Sequence, residues 1–492
     1  MKLGQVTEYD IDPTTGLTTS ITDPNNVTTN YTYNEKDQIT KVEKKGKETN
    51  YTYNKQDLLS KITCENKEYN FTYDNFLNTK EVKINNQVLV TNEYEENNGN
   101  LISSTYGNNS KVNYTYDELD RLKTLEKNNK IYRHIYDNQN HLARIIEGNN
   151  NYNYYYDLAD RLSKYEIITQ IEGNGLDEGE TLKKEFTIDY EYDLNNNVTK
   201  KTYTQKDTHE QIEYAYDEDD SLIKISLNNQ NVNYIYDSLG RLKEKNINNQ
   251  LPVTYEYERN GNKTSLILKR MTIDNIIYDY KYDNLYNTTD IYKNKELINH
   301  YEYDTFNELI KEDNYLSNKT IKYIYDTSGN ILKKQEYEIN TDILIHEDNF
   351  AYTNTNWKDQ LTKFNDTEIT YDEIGNPITI GKANLSWNAR ELQSYQDDLS
   401  NIEYFYNKEG IRTKKRVNNV ETNYLLENSN IIMEETNGNM LYYMRTGEHE
   451  LIGLKYNKET YYYQKNYQGD IIGIYNKEYE LIATYEYDSF GK

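Results

Sequence analysis

The chain has 492 residues, a formal net charge of −26, 55 tyrosines and one cysteine. The acidic balance argues against nucleic acid, or an anionic membrane surface, as a partner along its length. The lone Cys64 excludes internal disulfides and multi-cysteine metal sites, and no run approaches the roughly 18 apolar residues of a membrane helix.

Val, Ile, Leu and Phe make up about a fifth of the chain, close to the range of disordered proteins. The tyrosines point the other way, because a buried ring contributes about 1.5–3 kcal/mol and ring pairs add about 0.5–1.5. Tyrosine also suits a thin sheet that is wet at the ring tip. The composition therefore describes a folded protein with a largely aromatic core.

Met1 to Gly4 lead straight into polar sequence, without the apolar core of a signal peptide. The first residues already read as repeat, as in a piece of a longer protein or one exported by another route. An early unit spans 7–23, and anchors follow at Tyr33, Tyr53 and Tyr73, 20 residues apart, with a weaker one at Tyr94. The clearest stretch is 113–162, where Tyr116-Asp117, Tyr136-Asp137 and Tyr156-Asp157 recur, again 20 residues apart. An insertion near 165–189 contains an acidic loop, Glu172 to Glu180. Units resume at Tyr192, Tyr216, Tyr236-Asp237, Tyr257, Tyr282, Tyr303 and Tyr325-Asp326. From Thr341 to Asn365 the pattern blurs, then returns at Tyr371-Asp372 and Tyr406. Residues 350–492 hold both tryptophans, Trp357 and Trp387. They end on Tyr487-Asp488-Ser489-Phe490-Gly491-Lys492, the opening half of another unit, in which Tyr485 to Tyr487 should form a strand. The chain divides into hairpin repeats, 1–340, and a denser portion, 341–492.

The spacing has a physical meaning. Tyr114 and Tyr116 share one face of a strand, and Asn113 and Thr115 the other. Asp117 opens a turn, because its carboxylate can bond amides two residues on. Counting the Asp as first, the fourth residue is Asp120, Asn140 or Asp160 here, and Gly240, Gly261, Gly329, Gly375, Gly410 or Gly491 elsewhere. These residue types accept a left-handed backbone, as a type I turn closed by a left-handed residue requires. Leu77 and Tyr286 break the rule, so their turns should differ. Asn85-Asn86, Asn128-Asn129, Asn228-Asn229 and Asn248-Asn249 mark two-residue turns between units. The expected fold is all-β: a long antiparallel meander of hairpins of about 20 residues, with roughly forty strands. An open twisted sheet tolerates about ten, so this one must coil; a spiral hollow shell is favoured over a propeller or a β-solenoid.

On these residues the chain resembles the RHS-repeat, or tyrosine-aspartate-repeat, proteins. Tyr234-Ile235-Tyr236-Asp237-Ser238-Leu239-Gly240-Arg241-Leu242 looks like that family's repeat. Tyr371-Asp372-Glu373-Ile374-Gly375-Asn376-Pro377, Gly410 to Lys415, Tyr461 to Tyr463, Gln468 to Gly473 and the final Tyr487 to Gly491 resemble the RHS-repeat-associated core of Gram-positive polymorphic toxins. The resemblance implies a spiral shell that encloses a C-terminal toxin domain, absent from this chain, in a secreted or cell-surface protein of interbacterial competition. It also implies a self-cleaving Asp-Pro-x-Gly-Leu segment in many members. Asp12-Pro13-Thr14-Thr15-Gly16-Leu17 carries one residue too many for it and reads as a repeat turn.

The residues suggest no catalytic, cofactor or metal site. The histidines, His134, His141, His209, His300, His346 and His449, lack metal-ligand spacing, and His134 occupies a repeat tyrosine position. Asp193 to Asn197 begins like a calcium loop but has Val198 in place of Gly and Thr204 in place of Glu, so a hairpin turn is the better reading. The repeat anchors are structural: tyrosines 33, 53, 73, 116, 136, 156, 236, 325, 371, 406 and 487; aspartates 117, 137, 157, 237, 326, 372 and 488; glycines 240, 329, 375, 410 and 491. The function expected is a toxin shell without enzymatic activity. The alternative is an adhesive surface for carbohydrate or a cell-surface partner, since aromatic rows with acidic rims can stack sugars.

Overall fold

In the computed structural model the described residues are 5–491, except 66, 172–180, 206–207, 228–229, 261–262, 447–449 and 458. The acidic loop from Glu172, Asn228-Asn229, Gly261 and His449 therefore lie outside them. The described residues form 45 strands, from Glu8–Ile11 to Leu481–Thr484. Each strand pairs antiparallel with its chain neighbours, so the order in the sheet is the order in the sequence. This is one long meander, not a set of four-stranded blades, and the sheet is coiled but not closed.

Alternation within a strand separates two faces. In Lys47–Tyr53, Glu48, Asn50 and Thr52 are exposed while Thr49, Tyr51 and Tyr53 are half-buried. Tyr51 stands opposite Ile62, which in turn stands opposite Tyr69, so this face is aromatic and aliphatic. The other face carries charge and hydroxyl pairs, such as Lys61–Glu68 at 2.6 Å and Thr115–Thr124 at 2.6 Å. Two apolar clusters thicken the wall where later strands overlie earlier ones. One joins Phe186, Ile188, Tyr214 and Tyr234 to Ile432, Met444, Ile452 and Tyr462. The other joins Val253, Met271 and Tyr280 to Tyr467 and Ile472.

Both turn types form as the residues dictate. Lys127 pairs with Lys130 across Asn128-Asn129, whose φ values are +54° and +58°. Asp12 to Leu17 is a turn closed by Gly16 N–H on Asp12 O at 2.7 Å. Asp193 to Asn197 is a hairpin turn with Asn196 at φ +72°.

Two expectations are corrected. The turns at Leu77 and Tyr286 do not differ: both residues are left-handed, at φ +68° and +73°. In each, the Asp at the first position receives two amides on its Oδ1, at 2.8–2.9 Å for Asp74 and 2.7–3.0 Å for Asp283. These bonds hold the turn against a left-handed cost of about 1–2 kcal/mol. The strand expected from Tyr485 to Tyr487 does not form, because strand pairing stops at Thr484. After Tyr485 N–H reaches Ile472 O at 3.0 Å, the backbone leaves the ladder. Ser489 then donates through N–H and Oγ–H to Glu312 at 3.1 and 2.6 Å, Asp488 pairs with Lys334 at 2.7 Å, and Phe490 packs on Tyr323.

Candidate functional site

The feature that recurs along the chain is a hydrogen bond between successive units. In the unit anchored at Tyr136, Lys130–Tyr136 follows Leu122–Lys127, and the ladder between them begins only at Thr124 opposite Arg133. Leu122 itself pairs with Tyr116 across a register slip. On the side of the next strand its carbonyl has no ladder partner, and the Tyr136 hydroxyl donates to it at 3.0 Å. The same bond joins Tyr33 to Thr18, Tyr53 to Ile39, Tyr73 to Leu59, Tyr116 to Leu101 and Tyr156 to Leu142. It joins Tyr236 to Leu222, Tyr325 to Leu309, Tyr371 to Leu361, Tyr406 to Leu392 and Tyr487 to Ile471. Tyrosine supplies both the reach and the O–H, whereas phenylalanine would leave an unpaired carbonyl. The ring tips expected to be wet are thus tied to the backbone.

The Asp-type turns supply the other half of each unit. Asp117, Asp137, Asp157, Asp237, Asp326 and Asp372 each donate N–H to the carbonyl four residues on. Each also accepts, on its Oδ1, the amides of the residues two and four places after it. Gly240, Gly329, Gly375, Gly410 and Gly491 all stand at positive φ, as the turn demands. Asp488 opens the last such turn, with Phe490 N–H on its Oδ1 at 3.1 Å.

Sequence reasoning missed the residue four after the Asp. Arg121, Arg161 and Arg241 bend back to their own aspartate, at 2.5–2.7 Å. Each guanidinium also covers the next anchor ring: Arg121 over Tyr136, Arg161 over Tyr192, Arg241 over Tyr257. His141 does the same, stacking on Tyr156 at 4.5 Å. Several reach the following turn, as in Arg121 to Asn140 at 2.8 Å and Asn197 to Asp220 at 2.8 Å. The left-handed residue is therefore often Asn or Asp for a second reason: its side chain accepts the neighbour's donor. The recurring Arg or Asn at this place was the available signal. The guanidiniums hold these carboxyls below their usual range: Arg241 brings Asp237 down to about 2, and Arg121 and Arg161 lower Asp117 and Asp157.

Three further bonds extend the pattern where the tyrosine-aspartate signal fails. Tyr352, inside the blurred stretch, donates to Ile331 O at 3.2 Å. Trp387 Nε1 donates to Pro377 O at 2.7 Å, and Arg445 Nε to Ile431 O at 3.2 Å. Any donor of sufficient reach serves, and a Tyr-Asp search cannot see the substitutes.

Remote strands meet along a seam. Turns of the early units touch turns 263–279 residues later: Glu65 with Ser328, Asn108 with Asp372 at 2.8 Å, Ser110 with Ala389 at 2.7 Å, and Lys127 with Glu391 at 2.6 Å. Further on, Lys201 and Glu427 form an ion pair at 2.7 Å with both side chains 6% exposed. Tyr190 and Tyr203 donate to the same carboxylate, at 3.0 and 3.2 Å. Burial, then the Glu427 charge, pushes the Tyr203 phenol well up. His134 is buried at its strand position opposite Ile145, and burial pushes its imidazole down. Among the described residues no group of three or more His, Cys, Asp or Glu side chains could hold a metal ion. Among the described residues no helix is long and apolar enough to cross a membrane, which says nothing of a β-barrel.

A continuous coiled sheet built from tyrosine-latched hairpins defines the class by its fold: an all-β array of hairpin repeats in one antiparallel meander. The crystal structure of TcdB2-TccC3-Cdc42 superposes on 99% of this chain and 30% of that chain, with TM-score 0.76 and 14% identity. A Photorhabdus luminescens Tc holotoxin pore gives TM-score 0.74 at 14% identity, covering 99% of this chain and 30% of that one. In sequence, the tRNA nuclease WapA of Bacillus subtilis (strain 168) is 29% identical over 197 residues, 38% of this chain and 8% of that protein. The tRNA(Glu)-specific nuclease WapA of Bacillus subtilis subsp. natto is 30% identical over 144 residues, 28% of this chain and 6% of that protein. No family model matches the chain. The chain thus spans less than a tenth of the WapA proteins, and what it shares with the toxin-complex structures is fold. In fold, and in part of its sequence, the chain is similar to these proteins.

Proposed function

We propose that the chain is the wall of a shell that encloses and delivers a C-terminal toxin domain in a polymorphic toxin of Gram-positive type. The observation that carries this reading is the spiral seam: turns of units far apart in sequence are stitched together by Asn108–Asp372, Ser110–Ala389 and Lys127–Glu391. A wall stitched between successive coils resists opening sideways, as a container must. On this reading residues 1–340 supply repeat wall and 341–492 the RHS-repeat-associated core, and the repeat anchors are structural. The shell residues carry out no catalysis; the nuclease activity named for WapA belongs, by this proposal, to a part of those proteins outside the matched stretch. Export to the surface or the medium follows from that role.

The adhesive reading gains no support, because the rings of Tyr136, Tyr192 and Tyr257 are covered by arginines and their hydroxyls are bonded. Small-angle X-ray scattering tests the shell reading. A hollow particle shifts the pair-distance distribution to longer vectors than a solid body of equal mass, and a solid profile would rule the proposal out.

A further inference from the structure

We infer that the cleft between the wall strands around Lys245 and the overlying strands around Lys465 binds a carboxylate carried on an apolar or aromatic group. The cleft lies where the two apolar clusters part and measures about 480 Å³. That is within the roughly 300–1,000 Å³ of small-ligand sites, which are mostly apolar with a few convergent polar groups. Its walls are supplied by Tyr255, Tyr282 and Leu268 on one side and Tyr463 on the other. Leu266 stands 77% exposed at its rim.

The polar end is built from three side chains. Lys245 and Lys465 both address Glu450 Oε1, at 3.7 and 3.1 Å. Their side chains are only 17% and 18% exposed, against 46% for Glu450. Among the described residues Glu450 is the one carboxylate paired with either ammonium. Two largely buried cations therefore share one anion, in a chain whose net charge is −26. A buried charge without its counterion is costly, and burial pushes the Lys245 ammonium down. A ligand carboxylate removes that deficit while its apolar body fills the tyrosine-lined walls.

Two sources share this chemistry: a free aromatic acid, and an acidic side chain flanked by apolar residues in a peptide. Saturation-transfer NMR on the whole chain tests the site with 4-phenylbutyrate against its neutral amide, and with acetyl-Leu-Asp-Phe-amide against its Asn counterpart. Each acid should bind at least about tenfold more tightly than its neutral partner, the ratio expected of a charge-assisted contact worth about 1.4 kcal/mol. Lys465→Met should abolish that preference and Lys465→Arg retain it. Glu450→Gln should tighten binding, because it removes the competing carboxylate. Preference for the free acid alone identifies a small-molecule site, and for the peptide alone a peptide site; either supports the inference. Equal affinity for acid and amide, no binding of either acid at about 10 mM, or weaker binding in Glu450→Gln would overturn it.

Discussion

The Tyr116 hydroxyl donates to the Leu101 carbonyl oxygen at 3.0 Å, across from one hairpin unit to the one before it. The ring that anchors its own turn thus also closes the backbone of its neighbour. Removing only the hydroxyl, in Tyr116→Phe, should cost about 0.5–1.5 kcal/mol. Tyr116→Ala also loses the ring and should cost about 2–3 kcal/mol, less than for a fully buried aromatic because this ring is half-buried. Thr115→Ala, on the exposed face, should cost less than either. Because an array sums unit and neighbour terms, amide exchange should rise in residues 101–136 and stay unchanged near Tyr325. An even rise along the chain would contradict the latch.

Turn strain separates three positions. Gly240, at φ +72°, has open space where a Cβ would go, so Gly240→Val should cost about 1–3 kcal/mol from backbone strain alone. At Gly375 a Cβ would stand 2.9 Å from Trp357, so Gly375→Ala should destabilise more than Gly240→Ala. Leu77→Asn relieves a strained left-handed leucine and should stabilise by about 1 kcal/mol. Thermal melts of the variants rank these directly.

The turn carboxylates set an acid limit. Arg241 lowers Asp237 to about 2, and Arg121 and Arg161 lower Asp117 and Asp157. A carboxyl whose pKa falls on folding contributes stability that is complete above its unfolded pKa of about 3.9. That contribution is lost as pH drops through the folded value. The melting temperature should hold down to about pH 4 and fall between about pH 4 and pH 2. Asp237→Asn should be less stable at neutral pH and lose less on acidification. A parallel pH profile for variant and parent would count against the Asp237–Arg241 pair.

The buried seam pair offers a sharper contrast. Lys201→Met leaves the Glu427 carboxylate without its cation, with both side chains 6% exposed, and should cost about 3–5 kcal/mol. Lys201→Met with Glu427→Leu removes both charges and should recover much of that loss. Urea titrations of the single and double variants give the coupling; equal midpoints would remove the pair from the seam.

The hairpins were legible because each turn needs a chemically distinctive residue. Asp117 and Gly240 announce their turns through side-chain bonding and backbone freedom, and Tyr116 marks the strand face by its spacing from Tyr114. Leu77 and Tyr286 misled, because the hydrogen bonds of Asp74 and Asp283 override their local preference. The anchor hydroxyl's partner was hidden, since it lies on the preceding unit and appears only once the register slip at residues such as Leu122 is known. Arg121 and Arg161 were hidden for a related reason: beyond their own aspartates, the rings they cover and their further acceptors belong to the next unit. The seam could not be read at all. Asn108 and Asp372 are 264 residues apart, and no local pattern relates them. The coil that joins them is set by twist summed over many strands.

Protection of cargo from protease tests the container claim most directly. The chain is joined after Lys492 to a small toxin domain, and the rate of cleavage of that domain is compared with the rate for the domain alone. Enclosure predicts that the fused domain is cleaved at least about tenfold more slowly, because protease reaches it only through openings of the shell. Loosening the seam with Lys127→Ala and Ser110→Ala should bring that rate back up. Cleavage of the fused domain as fast as the free one, with the shell itself intact, would contradict the account.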